Sequence, residues 1–181
     1  MEDGQLEHRE DGRWQLRFTR HLAHAPEKVW RALTEPEHLA VWFPTTIEGE
    51  RAAGARLRFA HRDGAAPAIE GEMLACDPPR LLELRWGGGE TLRFELRPED
   101  GGTVLTLVNA FDEVGRAARD AAGWHACLDV LRHHLDGTPL PWTPGERWAQ
   151  VHDSYVERLG AEAATIGPPS PHAGEEVRPR T

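Results

Sequence analysis

Histidine, aspartate and glutamate must carry any acid–base chemistry in this chain, because other reactive residue types are scarce. Its 181 residues include one lysine, Lys28, one tyrosine, Tyr155, and two serines, Ser154 and Ser170, neither in a GxSxG turn. A serine hydrolase or a Schiff-base enzyme therefore has almost no candidates. Cys76 and Cys127 stand far apart, which gives neither a disulfide framework nor a CxxC metal knuckle. Cys127 falls on the apolar stripe of a helix and reads as a small buried hydrophobe. His125, Asp129 and His133 fall at i, i+4 and i+8, a metal-ligand spacing on paper. At about 100° per residue they lie away from that stripe, so the expectation is a solvated face with His–Asp pairs and no metal. His61 continues the phase of Leu57 and Phe59, and Asn109 that of Leu105 and Leu107. Pointing inward, both could bind a ligand carbonyl or hydroxyl, and His61 could act as a base near neutral pH. Pointing outward, His61 ends a strand in solvent and Asn109 caps the turn before a helix. Gly87-Gly88-Gly89 joins two strands rather than preceding a helix, so it is not a phosphate cradle.

Composition narrows the partners. Thirty acids against 21 bases give a net charge of −9, which argues against nucleic acid. No apolar run approaches the roughly 18 residues of a membrane helix, and the start MEDGQLEHREDGR is too polar for a signal peptide. A cytoplasmic protein is the expectation.

The elements that would position these residues follow from periodicity. Trp14, Leu16 and Phe18 alternate as a half-buried strand does. Ala25-Pro26-Glu27 opens a helix, with proline in its first turn and an acid at the positive end of its dipole. Pro36 restarts a second short helix carrying Leu39, Trp42 and Phe43, and Pro44 stops it. From about residue 47 to 110 period-2 patterns recur, broken at Asp77-Pro78-Pro79, at the triple glycine and at Pro98–Gly102. That is an antiparallel meander of about six strands with one apolar face. A long helix follows over roughly 113–136, with Trp124, Cys127, Leu128, Leu131 and Leu135 on one stripe. Thr143 and Glu146 form a capping box for a last helix bearing Trp148, Val151, Tyr155 and Leu159. The expected division is a disordered tail over 1–13, a domain over 14–138, a helical extension over 139–162 and a disordered tail over 163–181.

At this point the chain resembles a known family. Ala25-Pro26-Glu27-Lys28-Val29-Trp30-Arg31-Ala32-Leu33-Thr34-Glu35-Pro36-Glu37-His38-Leu39, then Trp42-Phe43, looks like the opening of the SRPBCC (START-like, helix-grip) superfamily. The branch is the one related to the heat-shock-protein ATPase activator homologues. Gly71-Glu72-Met73-Leu74, Asp77-Pro78-Pro79-Arg80-Leu81, Leu84-Arg85-Trp86, Phe94-Glu95-Leu96, Gly101-Gly102-Thr103 and Gly123-Trp124 continue the match in order, over about residues 14 to 137. The resemblance implies an α+β fold, a seven-stranded antiparallel sheet gripping the long helix, with a pocket between them. It also implies small apolar ligands, with cyclisation or hydrolysis in some relatives.

The reading is therefore a protein that binds a small apolar or aromatic molecule, without a cofactor and with no catalysis assumed. Cavity candidates are Trp42, Phe59, His61, Met73, Trp86, Phe94, Leu107, Asn109, Trp124 and Leu128, because aromatics supply area and shape for a greasy ligand. The rivals are a cyclase- or hydrolase-type enzyme using His61 or an inward acid, and a chaperone-linked or stress-response interaction module with a collapsed cavity. The last helix docks either on its own domain or on a second copy, making a homodimer.

Overall fold

Alternating side chains build most of the sheet. In the computed structural model, which describes residues 2–167, seven strands form one antiparallel sheet. They are β1 (Gln5–His8), β2 (Trp14–Leu22), β3 (Arg56–Phe59), β4 (Ile69–Asp77), β5 (Leu81–Trp86), β6 (Glu90–Glu99) and β7 (Gly102–Phe111), in the order β1-β2-β7-β6-β5-β4-β3. The helices are α1 (Pro26–Thr34), α2 (Pro36–Trp42), α3 (Ala117–Asp136) and α4 (Pro144–Leu159), with 3-10 turns at Val114–Arg116 and Ala161–Ala164. None of these helices is long and apolar enough to cross a membrane.

Strand register sorts the inward side chains into rows beneath α3. Leu16, Asn109 and Leu92 form one row, which continues through Leu84 to Met73. Phe18, Leu107, Phe94 and Leu82 form the next. Toward the other end, Glu90 pairs with Trp86, and Trp86 with Gly71. Gly71 has to be glycine, because a Cβ there would strike the Arg85 carbonyl and the Phe59 ring. The stripe on α3 lands on these rows, with Leu128, Leu131 and Leu135 almost wholly buried. Gly137 closes α3 in the left-handed region at φ 65°.

Three expectations need correcting. Residues 2–13, expected as a tail, are ordered into the sheet. Arg9–Arg13 turns the chain and Gln5–His8 pairs along β2, Leu6 opposite Leu16. An edge strand needs few apolar residues when its backbone ladder and a Glu7–Arg17 ion pair hold it. The meander after α2 has five strands rather than six, so β1 supplies the seventh. The tail assigned from 163 starts inside structure: Ala163 is buried and the Ile166 amide donates to the Gly115 carbonyl at 2.9 Å. The remainder of that tail, 168–181, lies outside the described residues.

α4 docks on its own domain. Its capping box forms as expected between Thr143 and Glu146. Val151 and Tyr155 are buried, Trp148 and Leu159 pack at the edge of the same core, and the Trp148 indole donates to the Arg119 carbonyl at 3.2 Å. Of the two docking modes open to this helix, its apolar face is seen packed on its own domain, against α3.

Candidate functional site

Nine of the ten cavity candidates meet between sheet and helix. Phe59, Met73, Trp86, Phe94, Leu107 and Asn109 come from the inward rows, Trp124 and Leu128 from α3, and Trp42 from α2. The Trp42 indole is fixed by donating to the Ala32 carbonyl at 2.8 Å, and its ring meets Phe94 edge-on at 6.1 Å between centroids. Trp86 is the hub of the wall: its ring lies 4.8 Å from Phe59, 5.4 Å from Phe43 and 6.5 Å from Trp124. These are normal spacings for aromatic pairs packed in contact. Trp86 is half-buried while Phe59, Met73 and Leu107 are wholly buried, so the interface is filled by its own side chains.

His61 is the exception. β3 ends at Phe59, and His61 lies beyond it, its carbonyl accepting from the Gly64 amide in a turn. Arg62, not His61, reaches back, donating to the carbonyls of Phe43, Leu39 and Thr45 at the end of α2. The inward phase breaks because the strand stops, and the proposed base is not at the wall.

At one end of the wall sits a polar group of which only Asn109 was expected. Its Nδ2 donates to Glu90 Oε1 at 2.8 Å and to the Thr91 carbonyl at 3.3 Å. Both partners are acceptors, which fixes the amide orientation and turns Oδ1 the other way. Asn109 is fully buried, and Oδ1 has no partner among the described residues. Arg116 bridges Glu90 Oε2, at 2.9 Å, and Asp120, while Arg119 Nε donates to the other Asp120 oxygen at 2.9 Å. Burial pushes the Glu90 carboxyl above the usual range, against the opposing pull of Arg116 and of the Asn109 amide. Glu90 is the cross-strand partner of Trp86, and Asp120 lies one helical turn before Trp124, so this group adjoins the aromatic wall. Glu90 shares the phase of Leu92 and Phe94, which was the available signal for an inward acid. Phe43 had an apolar signal beside Trp42.

The His125–Asp129–His133 ladder is also corrected. Its first two members are not solvated, because α4 and residues 2–4 cover that face of α3. The Tyr155 hydroxyl sits 2.9 Å from His125 Nδ1 and accepts from the Gly4 amide at 2.7 Å. Asp129 lies 3.3 Å from His125 Nε2, 2.7 Å from Arg147 Nε and 3.8 Å from Arg20, which is buried on β2. Burial by itself would raise the Asp129 carboxyl; hydrogen bonds and charge from His125 and Arg147 outweigh it and draw it down to about 2. His133 turns away to the Thr138 hydroxyl at 2.8 Å. Among the described residues no group of three or more His, Cys, Asp or Glu is placed to hold a metal ion. Desolvation pushes the thiol of half-buried Cys127 up to about 12, so it stays protonated near neutral pH.

Of the clefts that lie away from the wall, two border the short helices α1 and α2. One, of about 660 Å³, runs between α1 and the end of α3, where His38 Nδ1 and His134 Nε2 stand 2.8 Å apart near Lys28 and Asp136. The other, of about 510 Å³, runs beside α2 past Leu39, Ala40 and Ile47.

Comparison with known proteins agrees with this architecture. CalU16 from Micromonospora echinospora superposes with a TM-score of 0.68 at 22% identity, over 86% of this chain and 95% of that one. The protein encoded by gene BPP1335 from Bordetella parapertussis gives 0.65 at 30% identity, over 80% and 85%. The Aha1 protein from Colwellia psychrerythraea, solved in solution as a dimer, gives 0.58 at 18%, over 67% and 94%. No curated protein matches. Residues 23–136, well over half of the chain, match the family described as Activator of Hsp90 ATPase homolog 1-like protein, and the chain belongs to that family.

Proposed function

We propose that this protein binds a small apolar or aromatic molecule against the Trp86–Trp124 wall, with the polar end of the ligand at Asn109. The observation that carries the reading is Asn109 itself, a fully buried amide whose Oδ1 has no partner among the described residues. An unpaired buried acceptor costs about 1–3 kcal/mol, which a ligand donor recovers. Apolar contact adds about 25 cal/mol per Å² of ligand surface removed from water. Because the wall is packed, binding requires a side chain to move. Trp86, half-buried among Phe43, Phe59 and Trp124, is the natural one to swing.

Catalysis is not part of this reading. A cyclase- or hydrolase-type reaction would have Glu90 as its inward acid, and both Glu90 oxygens are already engaged by Asn109 and Arg116. The second reading is a protein-interaction module, and the observation favouring it is the filled interior. Tryptophan fluorescence and thermal shift against fatty acids, flavonoids, polyketides and other aromatics separate the two. Saturable quenching with a raised melting temperature supports the ligand site, since binding to the native state alone must stabilise it. No response across the panel supports the interaction module.

A further inference from the structure

We infer that the ligand of this site is an uncharged aromatic molecule carrying a hydrogen-bond donor, such as a phenolic hydroxyl, and that the site rejects the matching carboxylate. The inference rests on the binding site proposed above and adds its polarity. It follows from which groups at the polar end are spoken for.

The charges there are balanced. Two acids, Glu90 and Asp120, face two guanidinium groups, Arg116 and Arg119. Arg116 gives Nε to Asp120 and Nη2 to Glu90, and Arg119 gives Nε to Asp120. Among the described residues, no cation of this cluster is left unmatched for a ligand anion. A carboxylate entering beside Asn109 would be a third anion in a half-buried cluster whose positive charge is already matched, and such a charge is costly to bury unpaired.

The hydrogen-bonding capacity is unbalanced in the opposite sense. Asn109 has spent its Nδ2 donors on Glu90 and Thr91, and what remains is an acceptor. An acceptor lost to water on folding selects a ligand N–H or O–H, and it repels a carboxylate or carbonyl oxygen in the same place. The aromatic wall, which adjoins this polar group through Glu90 and Asp120, sets the body of the ligand, since flat rings stack well on tryptophan.

Isothermal titration calorimetry at pH 7 with 2-naphthol, naphthalene and 2-naphthoate tests this, because the three share one ring system. The expected order is naphthol tightest, with naphthalene and naphthoate each weaker by at least about tenfold, which is about 1.4 kcal/mol. Asn109→Leu should bring naphthol down to the affinity of naphthalene while naphthalene still binds. Glu90→Gln, which removes one anion, should narrow the gap between naphthoate and naphthol; it also reports on the site if Asn109→Leu fails to fold. Equal binding of naphthol and naphthalene, or tighter binding of naphthoate, would overturn the polarity inference and leave the site standing. Binding of none of the three would overturn both.

Discussion

Asp129 gives the sharpest quantitative test of how α4 and the N-terminal residues are held. Its side chain is 12% exposed and contacts Arg147 on α4, His125 one turn back on α3, and Arg20 on β2. Those partners hold the carboxyl at about 2, against an ordinary 3.8. The folded state therefore binds this proton more weakly than the unfolded chain does. The charged carboxylate contributes stability that is complete above the ordinary value and is lost as the pH falls through about 2. At about 1.36 kcal/mol per pH unit, the gap amounts to about 2.5 kcal/mol at pH 7, and about half of it survives at pH 3. Asp129→Asn should therefore cost at least about 2 kcal/mol at pH 7, more if Arg20 is left buried without a counter-charge. The assay is urea unfolding of both proteins at several values between pH 7 and pH 3, comparing free energies at each. The reasoning fails if the difference between them stays constant over that range, because the loss would then reflect shape and not charge.

Two further outcomes follow from neighbouring contacts. Tyr155→Phe deletes the hydroxyl that joins His125 to the Gly4 amide, leaving a buried donor unpaired. It should destabilise the fold by about 1–3 kcal/mol in the same unfolding assay and make residues 2–8 the first site of limited proteolysis. In the cleft, burial lowers the His134 pKa, with the charges of His38 and Lys28 acting in the same direction. The folded state thus binds this proton less readily, so stability should fall as the pH drops through the ordinary histidine range of about 6.5. Melting temperatures from pH 7.5 to 5.5 should show the fall in the native protein, and His134→Asn should flatten it.

How far the sequence reached is set by what periodicity can encode. Period 2 tells which side chains of a strand share a face, and a central strand with a dry face declares that face through Leu92, Phe94 and Leu96. The same rule placed Asn109 among Leu105 and Leu107, and the amide is indeed inward. Glu90 sits in the same phase, but a charged residue at the head of a strand reads as the end of the pattern. Its partners Arg116 and Asp120 come from the start of α3, so only the tertiary fold shows that the charge is matched. β1 escaped notice for the converse reason. An edge strand is held mainly by its backbone ladder, and Gln5–His8 carries a single large apolar side chain.

The helical wheel has a different blind spot. It gives the angle of His125 and Asp129 around α3, away from the sheet, but does not say what lies on that side. Whether a face opposite the core is wet depends on whether another element covers it. The means of deciding were in the sequence, though in another segment: α4 carries Trp148, Val151, Tyr155 and Leu159 on one stripe, and that stripe needs a surface to rest on. The matching surface on α3 is short of large apolar residues but offers a histidine and an aspartate, while α4 offers a tyrosine hydroxyl and Arg147. Two amphipathic helices whose polar groups complement each other at their edges can dock through an apolar seam with a polar margin, and His125, Asp129, Arg147 and Tyr155 form that margin here. The polar residues that looked like a ligand ladder are thus the attachment of an added helix. The chemistry we propose for a ligand is at Asn109, on β7 beneath the face of α3 that touches the sheet.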